Sequence, residues 1–195
     1  MSTRDRIVSA STELFGRQGY AGTGIKAILA ASDAPFGSLY HFFPGGKEAL
    51  GAEAIRVGGA TYRELVEAFF GVGCDVVGST RQFFDAAAEM IEATDFADAC
   101  PIATVALEVS SVSEPMRQAV AEAFESWLAV LRRRFGEAGI EPSRAGELAI
   151  ELFCALEGAF LLSRATRDKT PILVAGRAAT RSVEAAVRTA VPATA

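Results

Sequence analysis

Three cysteines, Cys74, Cys100 and Cys154, are too few and too scattered to form a disulfide framework or a C-x-x-C pair, so free thiols in a reducing compartment are expected. A single histidine, His41, and no cysteine cluster leave a zinc centre without a ligand set. No uninterrupted apolar run reaches the length needed to span a bilayer. The opening "MSTRDRIVSASTELF" lacks the basic-then-apolar order of a secretory signal. Neither a G-x-S-x-G elbow nor a phosphate-binding P-loop occurs, which removes the two commonest signatures of a hydrolase or an NTPase. Together these absences predict a cytoplasmic protein with no metal, no cofactor, no membrane partner and no catalytic constellation.

What is present is apolar and acidic. Half of the 195 residues are hydrophobic and the net charge is −5. That composition predicts a well-buried core and excludes a disordered chain. The charge is uneven. Residues 1–50 carry Arg4, Arg6, Arg17, Lys26 and Lys47 against Asp5, Glu13, Asp33 and Glu48, a net +1, which leaves −6 for the remainder. An acidic body repels phosphate, so any contact with nucleic acid is confined to the N-terminal head.

Apolar residues recur at helical spacing throughout, and the fold class is all-α. Ser2 and Asp5 make a weak capping box, and Ile7, Ala10, Leu14 and Phe15 mark the first helix, which Gly19 ends. Thr23 is the candidate cap of a second helix that "SDAP" closes. A short third helix, about 36–43, buries Leu39 with Phe42 or Phe43 before Pro44 and two glycines stop it. A long helix, about 47–70, carries a stripe of Leu50, Ala54, Val57, Thr61, Leu65 and Phe69; its Gly58-Gly59 pair marks either a bend or a close approach by another helix. "GVGCDVVGST" reads as a loop. Further helices follow around Phe83–Ile91, over about 101–111, from Glu114 through Trp127 to Phe135, over 143–167, and from Pro171 to about Ala190, with the last five residues expected to fray. The 143–167 helix is apolar on more than one side, which suits a layer between others or a subunit contact.

Two short helices joined by "SDAP" make a helix-turn-helix pattern whose second helix, about 12 Å long, fits a major groove. Gly37 lets backbone approach DNA. Ser38 can bond a base edge or a phosphate, and Tyr40 and His41 end in polar groups suited to phosphate oxygens. Thr23 and Lys47, each at a helix start, would flank the reading helix as anion clamps. The alternative is that His41 is a packing residue among aromatics.

The run "TRDRIVSASTELFGRQGYAGTGIKAILAASDAPFGSLYHFFPGGKEAL" closely resembles the N-terminal domain of TetR-type transcriptional regulators, and "FPGGKEAL" with the later "VALEVSS" is similar to the lincomycin-resistance-type repressor subgroup. The resemblance implies a homodimer with a DNA-binding head (1–46) and an effector-binding and dimerisation body (47–195). It implies a ligand-released repressor acting on a palindromic double-stranded DNA operator. By position, Thr23, Tyr40, His41 and Lys47 would touch phosphates, while Lys26, Phe36, Gly37 and Ser38 would face the groove. The family often has Lys or Arg where Phe36 stands. Phe36 either meets a thymine methyl or tucks against the head.

The resemblance also implies a cavity in the body, expected to take a small apolar or aromatic effector. Phe84, Met90, Phe96, Cys100, Thr104, Trp127 and Phe153 are the candidate lining, and the last two helices the dimer contact. Glu108 and Glu157 lie in apolar surroundings, where each either reaches solvent or an arginine, or pairs with a ligand cation. An enzyme would need a catalytic group that the sequence does not offer. A helical interaction module without DNA binding would find its support in Phe36 and the acidic body.

Overall fold

The computed structural model describes residues 1–98 and 100–190, so the expected fraying of residues 191–195 lies outside it. The described residues form nine helices and no strand: α1 (Thr3–Gly22), α2 (Ile25–Ala31), α3 (Ser38–Phe42), α4 (Gly46–Phe69), α5 (Val76–Ala93), α6 (Pro101–Val109), α7 (Glu114–Glu137), α8 (Pro142–Thr166) and α9 (Thr170–Thr189). None of the described helices is long and apolar enough to cross a membrane. The chain divides into two compact units, Met1–Tyr62 with Cys100–Phe124, and Arg63–Ala99 with Glu125–Ala195.

In the first unit α1 opens with the expected capping box. Ser2 N–H donates to Asp5 Oδ2 at 3.0 Å and Asp5 N–H to Ser2 Oγ at 3.1 Å. Gly19 breaks the helix with φ 77° and ψ 167°, a left-handed-side backbone that glycine adopts without a Cβ penalty. Ile7, Phe15, Ile28, Leu39, Leu50 and Ile102 are among its fully buried side chains. On α4 the expected stripe holds at Leu50 and Ala54 but not beyond, since Val57 and Leu65 are 42% and 44% exposed. On a helix turning about 100° per residue, the step of three from Ala54 falls about 60° short of a full turn and sets Val57 on the far side of Leu50 from the buried Ile55, Gly58 and Gly59. Ile55, Gly58 and Gly59 take its place here, and Val66 and, just past the helix end, Phe70 do so in the second unit.

The glycine pair serves close approach. A Cβ at Gly58 would stand 3.0 Å from Thr12 Cγ2. One at Gly59 would stand 2.6 Å from Ala123 Cβ and 3.4 Å from Ala123 Cα on α7. Gly59→Ala is therefore expected to destabilise the protein by about 1–2 kcal/mol, the overpacking cost outweighing the ~1 kcal/mol gained in helix propensity. Denaturant unfolding measures this directly.

The second unit is built on rings. Phe83 makes edge contacts with Phe69, Phe70, Phe84 and Phe153, with centroids 5.4, 5.8, 6.3 and 6.4 Å away. Trp127 lies 5.5 Å from Phe153. Arg134, only 8% exposed, donates Nε–H to the carbonyl of Phe70 at 2.8 Å, just past the end of α4, and pairs with Glu137. A cation there complements the negative end of the helix dipole. The segment expected to be a loop over 71–80 is helical from Val76, because Asp75 Oδ1 accepts the Val77 N–H at 3.1 Å and caps α5.

Candidate nucleic-acid interface

The α2–turn–α3 segment is held from both sides. At the end of α2, Ser32 N–H bonds Ile28 O at 2.9 Å and Ala34 N–H bonds Leu29 O at 3.0 Å, with Asp33 in the left-handed region at φ 47°. Arg6 reaches across from α1. Its Nε donates to Ser32 O at 2.9 Å and its Nη2 to Asp33 O at 3.1 Å. A guanidinium thus closes the carbonyl end of α2. Ser38 N–H bonds Pro35 O at 2.9 Å, and that turn launches α3. Leu39 and Phe43 anchor α3 in the core, while Phe42 is half-buried.

Above this anchor the other side chains face outward. Phe36 is 63% and Tyr40 55% exposed. Lys26, Gly37 and His41 are exposed and Ser38 is half-buried. Lys26 and Phe36 line one open depression of about 270 Å³ together with Leu29, Ala30, Asp33 and Ala34. His41 meets Phe42 edge-on at 4.8 Å, and the Tyr40 ring lies beside the Gly46 turn. Of the two readings of Phe36, burial against the head is the one its exposure contradicts. Six of the eight residues expected to meet DNA therefore lie on the α2–α3 segment with their side chains or backbone accessible.

Thr23 and Lys47 are placed otherwise. Gly24, not Thr23, is the N-cap of α2. Thr23 is fully buried, and its hydroxyl donates to Gly19 O at 2.7 Å and Leu14 O at 3.3 Å, so it locks the α1–α2 junction from inside. A hydroxyl so enclosed is not available to a phosphate. Lys47 donates Nζ–H to Tyr20 O at 2.6 Å and lies 4.2 Å from the centre of the Tyr20 ring. Burial holds its ammonium below the usual lysine range, against the opposing pull of Glu108.

The expected cavity residues divide between the units: Cys100 and Thr104 belong to the first, the other five to the second. Phe84, Trp127 and Phe153 are buried and packed ring on ring. Met90 and Phe96 are half-buried, the latter 5.9 Å beneath the Arg167 guanidinium. Cys100 caps α6 by accepting the Ala103 N–H at Sγ, and Thr104 Oγ1 donates to Cys100 O. The buried hydroxyls of Ser163 and Thr180 in the second unit have no hydrogen-bond partner among the described residues.

Sequence reading missed Arg6 and Asp33 as parts of this site, since neither stands out by spacing. It also missed the role of Glu108. The half-buried carboxylate accepts the backbone N–H groups of Tyr20 at 3.1 Å and Ala21 at 2.7 Å.

The profile described as "Bacterial regulatory proteins, tetR family" matches residues 7–54, and that described as "Transcriptional regulator LmrA/YxaF-like, C-terminal domain" matches residues 77–178. The chain is 35% identical over 172 residues to the HTH-type transcriptional regulator YxaF of Bacillus subtilis, covering 88% of this chain and 90% of that one. It is 35% identical over 171 residues to the HTH-type transcriptional regulator LmrA of the same organism, covering 88% and 91%. The crystal structure of regulatory protein TetR from Rhodobacter sphaeroides aligns with a TM-score of 0.81 at 24% identity, over 91% of this chain and 97% of that one, a likeness of fold.

Proposed function

Because this chain belongs to the TetR family of bacterial transcriptional regulators, with an LmrA/YxaF-like C-terminal domain, we propose that it is a ligand-released repressor that binds a palindromic operator as a homodimer. It is a DNA-binding regulator and not an enzyme. The observation that carries the finer reading is the accessible α2–α3 edge: Lys26, Phe36, Gly37, Ser38, Tyr40 and His41 stand above a fixed core of Ile28, Leu29, Leu39 and Phe43. Tyr40 and His41 present polar atoms to phosphates, and one proton of Lys47 is already committed to Tyr20 while the other two remain for an anion. Phe36 has no donor or acceptor, so its place in a groove is against a thymine methyl.

Exposed apolar side chains support the homodimer. Leu161 is 66%, Leu162 56% and Ile150 50% exposed on α8, and Val174 50% on α9. Two such helix pairs facing each other would bury them in a four-helix seam. Two heads then read half-sites about 34–36 Å apart. An apolar effector that favours another spacing releases DNA by its differential affinity for the two arrangements.

The test is an anisotropy titration of a labelled fragment from upstream of the protein's own gene, run over a salt series, with sedimentation of the free protein. Saturable binding by a dimer is expected, with log K falling linearly in log salt by about 0.9 for each phosphate neutralised. A strictly monomeric protein, or one that ignores the fragment in dilute buffer, refutes the reading. Mass spectrometry of co-purified small molecules supplies the effectors to add back.

A further inference from the structure

We propose that Glu108 of α6 is a positioning residue for DNA binding, holding the α1–α2 junction in the geometry that presents the reading segment. The inference rests on the reading of the α2–α3 segment as the DNA contact. It starts from the break at Gly19. With φ 77° and ψ 167° that residue leaves the helical path, and the next two N–H groups, of Tyr20 and Ala21, are taken by one carboxylate 88 and 87 residues away in sequence, at 3.1 and 2.7 Å. Each oxygen has its own donor, a charge-assisted pair of bonds stronger than neutral ones.

The site is shaped for that carboxylate. A Cβ at Gly19 would stand 2.0 Å from Glu108 Oε1 and 3.1 Å from Cδ, so only glycine admits it. At the other end of α6, a Cβ on Gly16 would stand 2.8 Å from Pro101 Cβ. Two glycines of α1 thus admit α6 at both its ends. The Tyr20 peptide is gripped again on its carbonyl by Lys47 at 2.6 Å, and its ring packs 5.3 Å from Phe15. The buried Thr23 hydroxyl holds Gly19 O from inside. Two residues beyond Thr23 the reading segment is under way: α2 begins at Ile25 and carries Lys26. Release of the carboxylate frees two backbone donors at the one point where α1 hands over to α2.

Charge alone predicts the opposite effect, which makes the proposal testable. Glu108 is an anion in an acidic protein, so its removal should strengthen attraction to DNA if long-range charge were all that mattered. Glu108→Gln keeps the shape but turns an N–H donor toward a donor. On the proposal, operator affinity falls about ten-fold or more, the size of a lost bond to a charged group, while the salt slope is unchanged because no phosphate contact is lost. Amide exchange of Tyr20 and Ala21 should rise about ten-fold or more by the same loss, with the rest of α1 protected as in the parent. The independent variant Gly19→Ala, which displaces the carboxylate from the other side, should show the same two changes. Operator binding by Glu108→Gln as tight as the parent's, or tighter, overturns the proposal. So does unchanged exchange at Tyr20 and Ala21. If the parent itself binds no DNA, the regulator reading fails first, and the two amides still decide whether the carboxylate holds the junction.

Discussion

A protein carrying Tyr40→Phe and His41→Ala together is expected to bind its operator roughly 30- to 150-fold more weakly than the parent. Each polar tip accounts for about 1–1.5 kcal/mol of hydrogen bonding to phosphate. Fold is not the cause, because both residues are exposed and the bonds and burial that hold α3 belong to Leu39, Phe43 and the Ser38–Pro35 turn. The phenylalanine keeps the ring beside the Gly46 turn. The alanine loses the edge contact of His41 with Phe42, worth about 0.5–1.5 kcal/mol at most and thus a fall of only a few degrees in Tm for a chain this long. The loss should be uniform across operator sequences, since phosphate contacts carry no base information. Phe36→Ala is the contrast. Its ring is 63% exposed and carries no polar atom, so its removal should flatten the preference for thymine at one position and leave the salt slope alone. Titration of both variants against matched and mutated operators separates the two outcomes.

How much of this was legible in the sequence depends on the range of the interaction. The helix order followed from apolar spacing, and the break at Gly19 and the Ser2–Asp5 box followed from local chemistry within four residues. The edge of exposed residues on α2–α3 was legible for the same reason: a five-residue helix that buries Leu39 must show Tyr40 and His41 outward. The errors have physical causes of two kinds. Glycine-rich composition hid the Asp75 cap, so α5 starts earlier than expected. Thr23 has the chemistry of an N-cap, but its hydroxyl found two carbonyls inside the junction. The rest was out of reach of any local pattern. Arg6 closes α2 from 26 residues away and Glu108 grips Tyr20 from 88. Spacing could place Glu108 on a helix in apolar surroundings, but only the fold reveals that its partners are backbone N–H groups. Likewise Phe84, Trp127 and Phe153 were expected as cavity lining, and no local pattern could reveal that Phe84 packs against Phe83 and α9 and Trp127 against Phe153.

That packing sets the largest expected effect on stability. In the second unit a Cβ at Gly176 of α9 would stand 2.6 Å from Phe84 Cβ and 3.0 Å from Phe84 Cγ on α5. Phe84 is 1% exposed and held by its neighbours, so neither partner can yield. Gly176→Ala therefore sets an overpacking cost of about 1–3 kcal/mol against ~1 kcal/mol of helix propensity. Gly176→Leu adds three more carbons to the same contact and should exceed about 3 kcal/mol, or roughly 10 °C in Tm at the 2–4 °C per kcal/mol typical of this length. Gly158 on α8 is the matched control, because a Cβ there meets nothing within 4 Å. In the isolated chain Gly158→Ala should stabilise by up to about 1 kcal/mol. If α8 and α9 form the proposed seam, however, that same methyl enters a close helix contact and weakens the dimer. Calorimetry at low protein concentration and sedimentation at high concentration should thus move in opposite directions for Gly158→Ala. For Gly176→Leu both should fall together, because the displaced helix carries Val174 of the seam with it.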